Sequence, residues 1–172
     1  MWHLKMMKTS RKPIKFLIPD ANIAKKAPFI YFIFAQVIDN QGNVVKALYI
    51  GQTLSSLGPM GRLNQHLSDL NFNTFKQRLN TALNYQPNSL KKVHFAAFCL
   101  TSRAEFTSNA RDYREAIEYL VQQKIINFIT SNSIGIVVVS IVRSNNFISQ
   151  PFVSHEGNEI FTGIIRWINS FS

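Results

Sequence analysis

Two apolar runs rich in aromatic and β-branched residues, Phe29-Ile30-Tyr31-Phe32-Ile33-Phe34-Ala35-Gln36-Val37-Ile38 and Val44-Val45-Lys46-Ala47-Leu48-Tyr49-Ile50, are separated only by Asp39-Asn40-Gln41-Gly42-Asn43. Runs of this composition bounded by turn formers read as strands, and so short a connection makes them an antiparallel hairpin. A three-residue loop ending in Gly42 suits a type I turn followed by a left-handed residue. That turn pairs Asp39 with Asn43, Tyr31 with Gly51 and Ile33 with Tyr49. Tyr31 and Tyr49 then share one face of the hairpin, whereas a two-residue loop would slide the register by one and send them to opposite faces.

Downstream of Gly51 a polar loop, Gln52 to Gly58, leads into Pro59 to Leu70, where Leu63, Leu67 and Leu70 recur at the spacing of an amphipathic helix. Arg62 and His66 are four residues apart on a neighbouring face, so a guanidinium and an imidazole can meet the same ligand. A second helix is expected from Phe72 to Leu83. A third strand is expected from Lys92 to Leu100, apolar enough to be central or covered on both faces. From Ala110 to Thr130 a stripe of Ile117, Leu120, Val121, Ile125, Phe128 and Ile129 marks a long helix. At the helical period Glu118 lies about 70° from the centre of that stripe while Glu115 points well away. Glu118 is therefore the acid placed to lean into a site at the core edge, with Glu115 as the alternative. Ile134 to Val142 reads as a strand, residues 144–158 as a long polar loop, and Glu159 to Phe171 as a terminal helix.

The fold class these elements imply is mixed α/β of the α+β kind: a small three-stranded antiparallel sheet flanked by helices, with a C-terminal strand and helix added. The chain has 172 residues, 46% of them hydrophobic, enough for one domain with a real core. The partition has a basic N-terminal arm over residues 1–27, a core over 28–130, and an extension over 131–172 packed on the same domain. The net charge is +10, and residues 1–26 hold seven Lys/Arg against Asp20 alone. Such a balance points to an acidic partner such as nucleic acid. The apolar runs are shorter than the roughly 18 residues of a membrane span, and no apolar stretch follows the early basic residues as in a secretory signal. Cys99 is the only cysteine, which excludes an intrachain disulfide and zinc sites built on cysteine pairs and suits the reducing cytoplasm. No nucleophile elbow, phosphate-binding glycine loop or dinucleotide fingerprint occurs. His155-Glu156-Gly157-Asn158-Glu159 opens like a zinc-protease helix, but it lacks the second histidine and its Gly and Asn suit a helix poorly.

Tyr31 and Tyr49 on a hairpin, Gly51 beside the second, Arg62 and His66 on the next helix and Glu118 on a later one form an ordered set. The succession Phe29-Ile30-Tyr31, Tyr49-Ile50-Gly51-Gln52-Thr53, Arg62-Leu63-Asn64-Gln65-His66-Leu67 and Ala116-Ile117-Glu118 resembles the GIY-YIG endonucleases. The likeness covers roughly residues 28–130. Three departures stand out: Phe29 replaces the usual glycine, the interval from Tyr31 to Tyr49 is longer than in compact members, and the usual downstream asparagine has only Asn127 and Asn132 as candidates. The resemblance implies a DNA endonuclease of restriction, phage-defence or mobile-element type, with Tyr31 as general base and Tyr49 orienting water or phosphate.

The residue types suit that chemistry on physical grounds. Phosphodiester hydrolysis needs a deprotonated water and neutralisation of charge on the phosphoryl and leaving oxygens. Mg²⁺, or Mn²⁺ in its place, is held by one or two carboxylates plus substrate phosphate, so Glu118 alone suffices. Arg62 offers a permanently charged fork to a non-bridging oxygen. A nearby cation favours tyrosinate, which would let Tyr31 accept a proton from water. His66 either relays that proton or binds phosphate. Gly51 either lets backbone pass close to substrate or marks a bulge. Gly51, Gln52, Thr53 and Arg62, with Lys25 and Lys26 at the end of the arm, are the residues expected to touch nucleic acid. A homodimer would supply the second nick of a double-strand break. The alternative function is a nucleic-acid-binding module that kept the fold and lost hydrolysis.

Overall fold

The computed structural model describes residues 27–68, 74–83, 90–100 and 109–170. The hairpin has the expected register: β1 (Phe29–Ile38) pairs with β2 (Val44–Thr53), Tyr31 opposite Gly51 and Ile33 opposite Tyr49. Its turn rests on Gly42, whose φ of 87° lies where a side chain is disfavoured. The Asp39 carboxylate accepts the backbone N–H groups of Gln41 and Asn43 at 2.9 and 2.8 Å. Hydrogen bonds from the Asn43 side chain and backbone hold that carboxyl below its usual range.

The sheet has four strands in the order β3-β1-β2-β4, rather than the three expected from sequence. β3 (Lys92–Cys99) pairs antiparallel with β1 and lies at the edge, half-buried along most of its length. The central, fully covered strand is β1, flanked on both sides and buried from Phe29 through Ala35. β4 (Ile136–Val138) runs parallel to β2 and is shorter than the Ile134 to Val142 run predicts. Its pairing stops because a side chain takes over from backbone. Val139 N–H still donates to Leu48 O at 2.9 Å, but the next partner, Ile50 N–H, donates to the Ser140 hydroxyl at 2.6 Å.

Alternation along β1 and β2 gives the sheet two buried faces. Ile30, Phe32, Phe34, Leu48 and Ile50 face α3 (Ala110–Ser131) and α4 (Pro151–Asn169), whose Ile117, Val121, Ile125, Ile160, Ile164 and Ile168 complete one core. Tyr31, Ile33, Val37, Ala47 and Tyr49 face α1 (Gly58–Leu67) and α2 (Thr74–Leu83), which supply Leu63, Phe75 and Leu79 to the other. The expected loop over residues 144–158 is instead a short 3₁₀ turn, Asn146–Ser149, followed directly by α4. Pro151 presets the first turn. The unfavourable Gly157 and Gly163 are explained by close packing: a Cβ would stand 2.7 Å from Leu120 Cδ2 at the first and 2.6 Å from Phe98 Cε1 at the second. Residues 155–159 are thus helical after all. The protease reading of that segment fails on the missing second histidine, since position 159 is Glu, 3.6 Å from His155. Among the described residues no helix is long and apolar enough to cross a membrane.

Candidate active site

The two tyrosines stand side by side near the end of the hairpin, their ring centroids 6.2 Å apart. His66 reaches them from α1: its Nε2 is hydrogen-bonded to Tyr31 Oη at 2.7 Å, and its ring centroid is 5.0 Å from that of Tyr49. With the imidazole neutral and protonated at Nδ1, the phenol donates this bond. Leu63 and His66 are buried on the sheet side of α1 while Arg62 projects into solvent, its Nη1 donating to Gln65 Oε1 at 2.8 Å. Phe75 of α2 closes the back of the cluster, 5.7 Å from Tyr49 centroid to centroid.

Gly51 has a defined job here. A Cβ at that position would stand 2.5 Å from both Cζ and Oη of Tyr31, so the phenol lies across the space a side chain would fill. The two sequence possibilities for Gly51, close passage of substrate backbone and a bulge, are joined by a third, the seating of Tyr31. Thr53 is buried, its Oγ1 accepting the Ser55 N–H at 3.0 Å, and Gln52 Oε1 accepts from Arg114 Nε at 2.8 Å.

Glu118 comes from α3 on the opposite side of the sheet, yet its charge acts on both tyrosines and raises the pKa of each. The constellation therefore converges at the end of the sheet where Tyr31 faces Gly51. Glu118 is only 9% exposed, and among the described residues its carboxylate has no hydrogen-bond or salt-bridge partner. Burial first, and the neighbouring Glu115 second, push it up to about 8. Glu115 is differently placed: it accepts from Arg111 Nε at 2.7 Å in a largely exposed pair.

A buried carboxylate without a partner, next to phenol oxygens and an imidazole, is a donor set that fits one hard divalent cation. Among the described residues no group of three or more His, Cys, Asp and Glu comes together, so the protein's share of such a site is the single carboxylate of Glu118.

One expectation is corrected. Arg62 does pull Tyr31 toward its anion, as anticipated, but burial outweighs it and the Tyr49 charge adds to the same side, so Tyr31 is held well above its ordinary pKa. Tyr49 is raised too, again chiefly by burial. A phenol in so dry a place stays protonated until something takes its proton.

Beyond Arg62, three arginines bear on the site that the sequence pattern did not single out. Arg78 of α2 acts on Tyr49, lowering its pKa, and Arg111 and Arg114 of α3 line a cleft with Arg62. Only the i, i+4 and i+7 relation of Arg114 and Arg111 to Glu118 on one helix could have pointed to the last two. Lys25 and Lys26 lie outside the described residues, as does the rest of the arm over 1–26. Comparison with protein-family models, curated proteins and solved structures found no match for this chain.

Proposed function

We propose that this chain is a metal-dependent DNA endonuclease of the GIY-YIG type, acting in the cytoplasm in restriction, phage defence or the movement of a genetic element. The observation that carries this reading is the Tyr31–His66 hydrogen bond of 2.7 Å, set in the field of both Arg62 and Glu118. A tyrosine wired to an imidazole beside a lone buried carboxylate is more than a nucleic-acid-binding surface needs. The bound cation, Mg²⁺ or Mn²⁺, would supply neutralisation of charge on the scissile phosphate. Glu118 would hold it, and doing so draws that carboxyl into its ionised form. Arg62 meets a non-bridging oxygen, and Tyr49 orients the phosphate or the attacking water. Tyr31 takes the proton from that water as its own passes to His66 Nε2. This relay answers the raised pKa of Tyr31, because the phenol need never stand as a free anion in a dry site.

The reading is tested by incubating supercoiled plasmid and mixed genomic DNA with wild type and Glu118→Ala, in Mg²⁺ or EDTA at low salt. Cleavage confined to wild type with Mg²⁺ is expected. Intact DNA in every lane, across sequences and with Mn²⁺ as well, would overturn it. A homodimer of such protomers would join two nicks into a double-strand break, and sedimentation of the active species tests that.

A second reading has one observation in its favour: Tyr31 is 2% exposed, which suits a static core residue as well as a reacting one. On that reading the chain binds nucleic acid without cutting it. Salt-sensitive binding without metal-dependent cleavage, weakened by Arg62→Ala and indifferent to Glu118→Ala, would select it.

A further inference from the structure

The cleft beside the tyrosine cluster has a volume of about 590 Å³ and is walled by the loop from Gln52 to Ser56 on one side and by Arg62, Arg111 and Arg114 on the other. No acidic residue lines it. We infer that this cleft is a second phosphate subsite, in which Arg111 and Arg114 bind the backbone of the same strand one to three nucleotides from the scissile phosphate.

Three features carry the inference. The first is charge: three guanidiniums from two separate helices face one polar hollow, an arrangement that repels itself unless an anion is meant to enter. Arg111 lowers the pKa of Arg114, after burial, which is the larger cause. Arg111 keeps Glu115 as its partner through Nε, which leaves both Nη groups without a partner among the described residues. The second is orientation. Gln52 Oε1 fixes the Arg114 guanidinium at Nε with a 2.8 Å bond, so the loop following the Tyr49-Ile50-Gly51 motif sets the plane of a fork suited to two phosphate oxygens. Thr53 and Ser55 each accept a backbone N–H through their hydroxyl oxygens, from Ser55 at 3.0 Å and Leu57 at 3.2 Å, and their own O–H groups remain donors.

The third is spacing. On α3, Arg114 is one turn and Arg111 two turns before Glu118, so the three lie near one face. They sit about 6 and 10.5 Å from it along the helix axis at 1.5 Å per residue. A strand advances about 3.4 Å per nucleotide, so phosphates one to three steps from the one at Glu118 fall along this row. The start of α3 adds its positive dipole at the same end. The strand is thereby given a direction, from Glu118 toward the beginning of α3.

The inference rests on the proposed nuclease reading for its ligand, a polynucleotide, and its test separates the two. Binding of a fluorescein-labelled duplex by the full chain is followed by anisotropy in EDTA, over a series of salt concentrations, for wild type, Arg111→Gln, Arg111→Gln/Arg114→Gln, Ser56→Glu and the distant exposed Arg166→Gln. Each phosphate contact contributes about 0.9 to the slope of log K against log salt for duplex DNA. The slope should fall by about 0.9 for Arg111→Gln and by about twice that for the double variant, with wild-type slope in Arg166→Gln. Ser56→Glu, an exposed change that leaves both arginines in place, should weaken binding at least tenfold at low salt even if the double variant does not fold. If wild type binds and these slopes and affinities are unchanged, the subsite is overturned and the nuclease reading stands. If wild type binds no nucleic acid, both fall. Inorganic phosphate and tripolyphosphate form a further arm. If they raise the melting temperature of wild type but not Arg111→Gln while the duplex slopes are equal, the cleft takes a free phosphate and the polynucleotide assignment is overturned.

Discussion

The phenol of Tyr31 lies directly over the α-carbon of Gly51, its cross-strand partner, so closely that a single added methyl would stand 2.5 Å from Cζ and Oη. The glycine is a seat for the tyrosine. Because the ring is also bonded to His66, it has no room to move without losing that bond. Gly51→Ala is expected to push the ring aside, at a cost of about 1–3 kcal/mol from overpacking. For a chain of this length that lowers Tm by roughly 2–4 °C per kcal/mol. Cleavage should fall far more steeply than stability. Thermal melts and plasmid cleavage at a temperature where the variant is fully folded check this, and wild-type rates in a folded Gly51→Ala would contradict the seating role.

Tyr31 and His66 act as a unit if the relay is correct, so their removal should not be additive. Tyr31→Phe keeps the ring and deletes the bond, which contributes about 0.5–1.5 kcal/mol to stability, but it should cost about 10²–10⁴ in cleavage rate. His66→Gln should cost a similar factor. The double variant should be little worse than either single one. Rates that multiply in the double variant would show that His66 binds phosphate independently instead.

The buried Glu118 carboxyl makes stability depend on pH in a defined direction. Its pKa rises from about 4.5 unfolded to about 8 folded, so the folded state holds the proton more tightly. That contribution is complete below pH 4.5 and is lost as pH rises through 8. In EDTA, wild type should therefore lose stability between pH 6 and pH 9 relative to Glu118→Gln, which lacks the titration. Mg²⁺ should restore wild type most at pH 9, where the carboxylate is free to bind it. Urea denaturation of both proteins at the two pH values measures this, and equal pH slopes would place the carboxyl in a wetter site than its burial implies.

The sequence was most legible where structure is set by near neighbours. The hairpin register followed from Gly42, whose positive φ is a local requirement, and from strict alternation, which carried Tyr31 and Tyr49 to one face. Glu118 was separable from Glu115 by helical period alone, because one face of α3 is dry and the other wet. Legibility failed where distant residues decide. Gly157 and Gly163 look like helix breakers until Leu120 and Phe98 are seen pressed against them. The length of β4 depends on a hydroxyl from Ser140 meeting Ile50, and the pose of Arg114 depends on Gln52, pairs far apart in the chain. The raised pKa of Tyr31 was likewise out of reach, since charge is visible in a sequence and dryness is not.

Ser140 offers the last prediction, and it links the extension to the site. Ile50 lies between Tyr49 and Gly51, and its N–H, buried at the point where β4 leaves the sheet, has the Ser140 hydroxyl as its acceptor at 2.6 Å. Ser140 is itself anchored, its carbonyl accepting from the side chain of Gln122 on α3, the helix that carries Glu118. One residue thus ties the strand bearing the tyrosine and glycine to the helix bearing the carboxylate. Ser140→Ala leaves a buried donor unpaired, which costs about 1–3 kcal/mol. Hydrogen exchange should locate that loss: the Ile50 amide should exchange faster at least tenfold relative to amides in the middle of β1, which stay paired on both sides. Cleavage should fall together with Ile50 protection, since the separation of Gly51 from Glu118 is no longer fixed. Uniform acceleration across the sheet would mean that Ser140 supports global stability only, and unchanged exchange at Ile50 would mean that another acceptor takes its place.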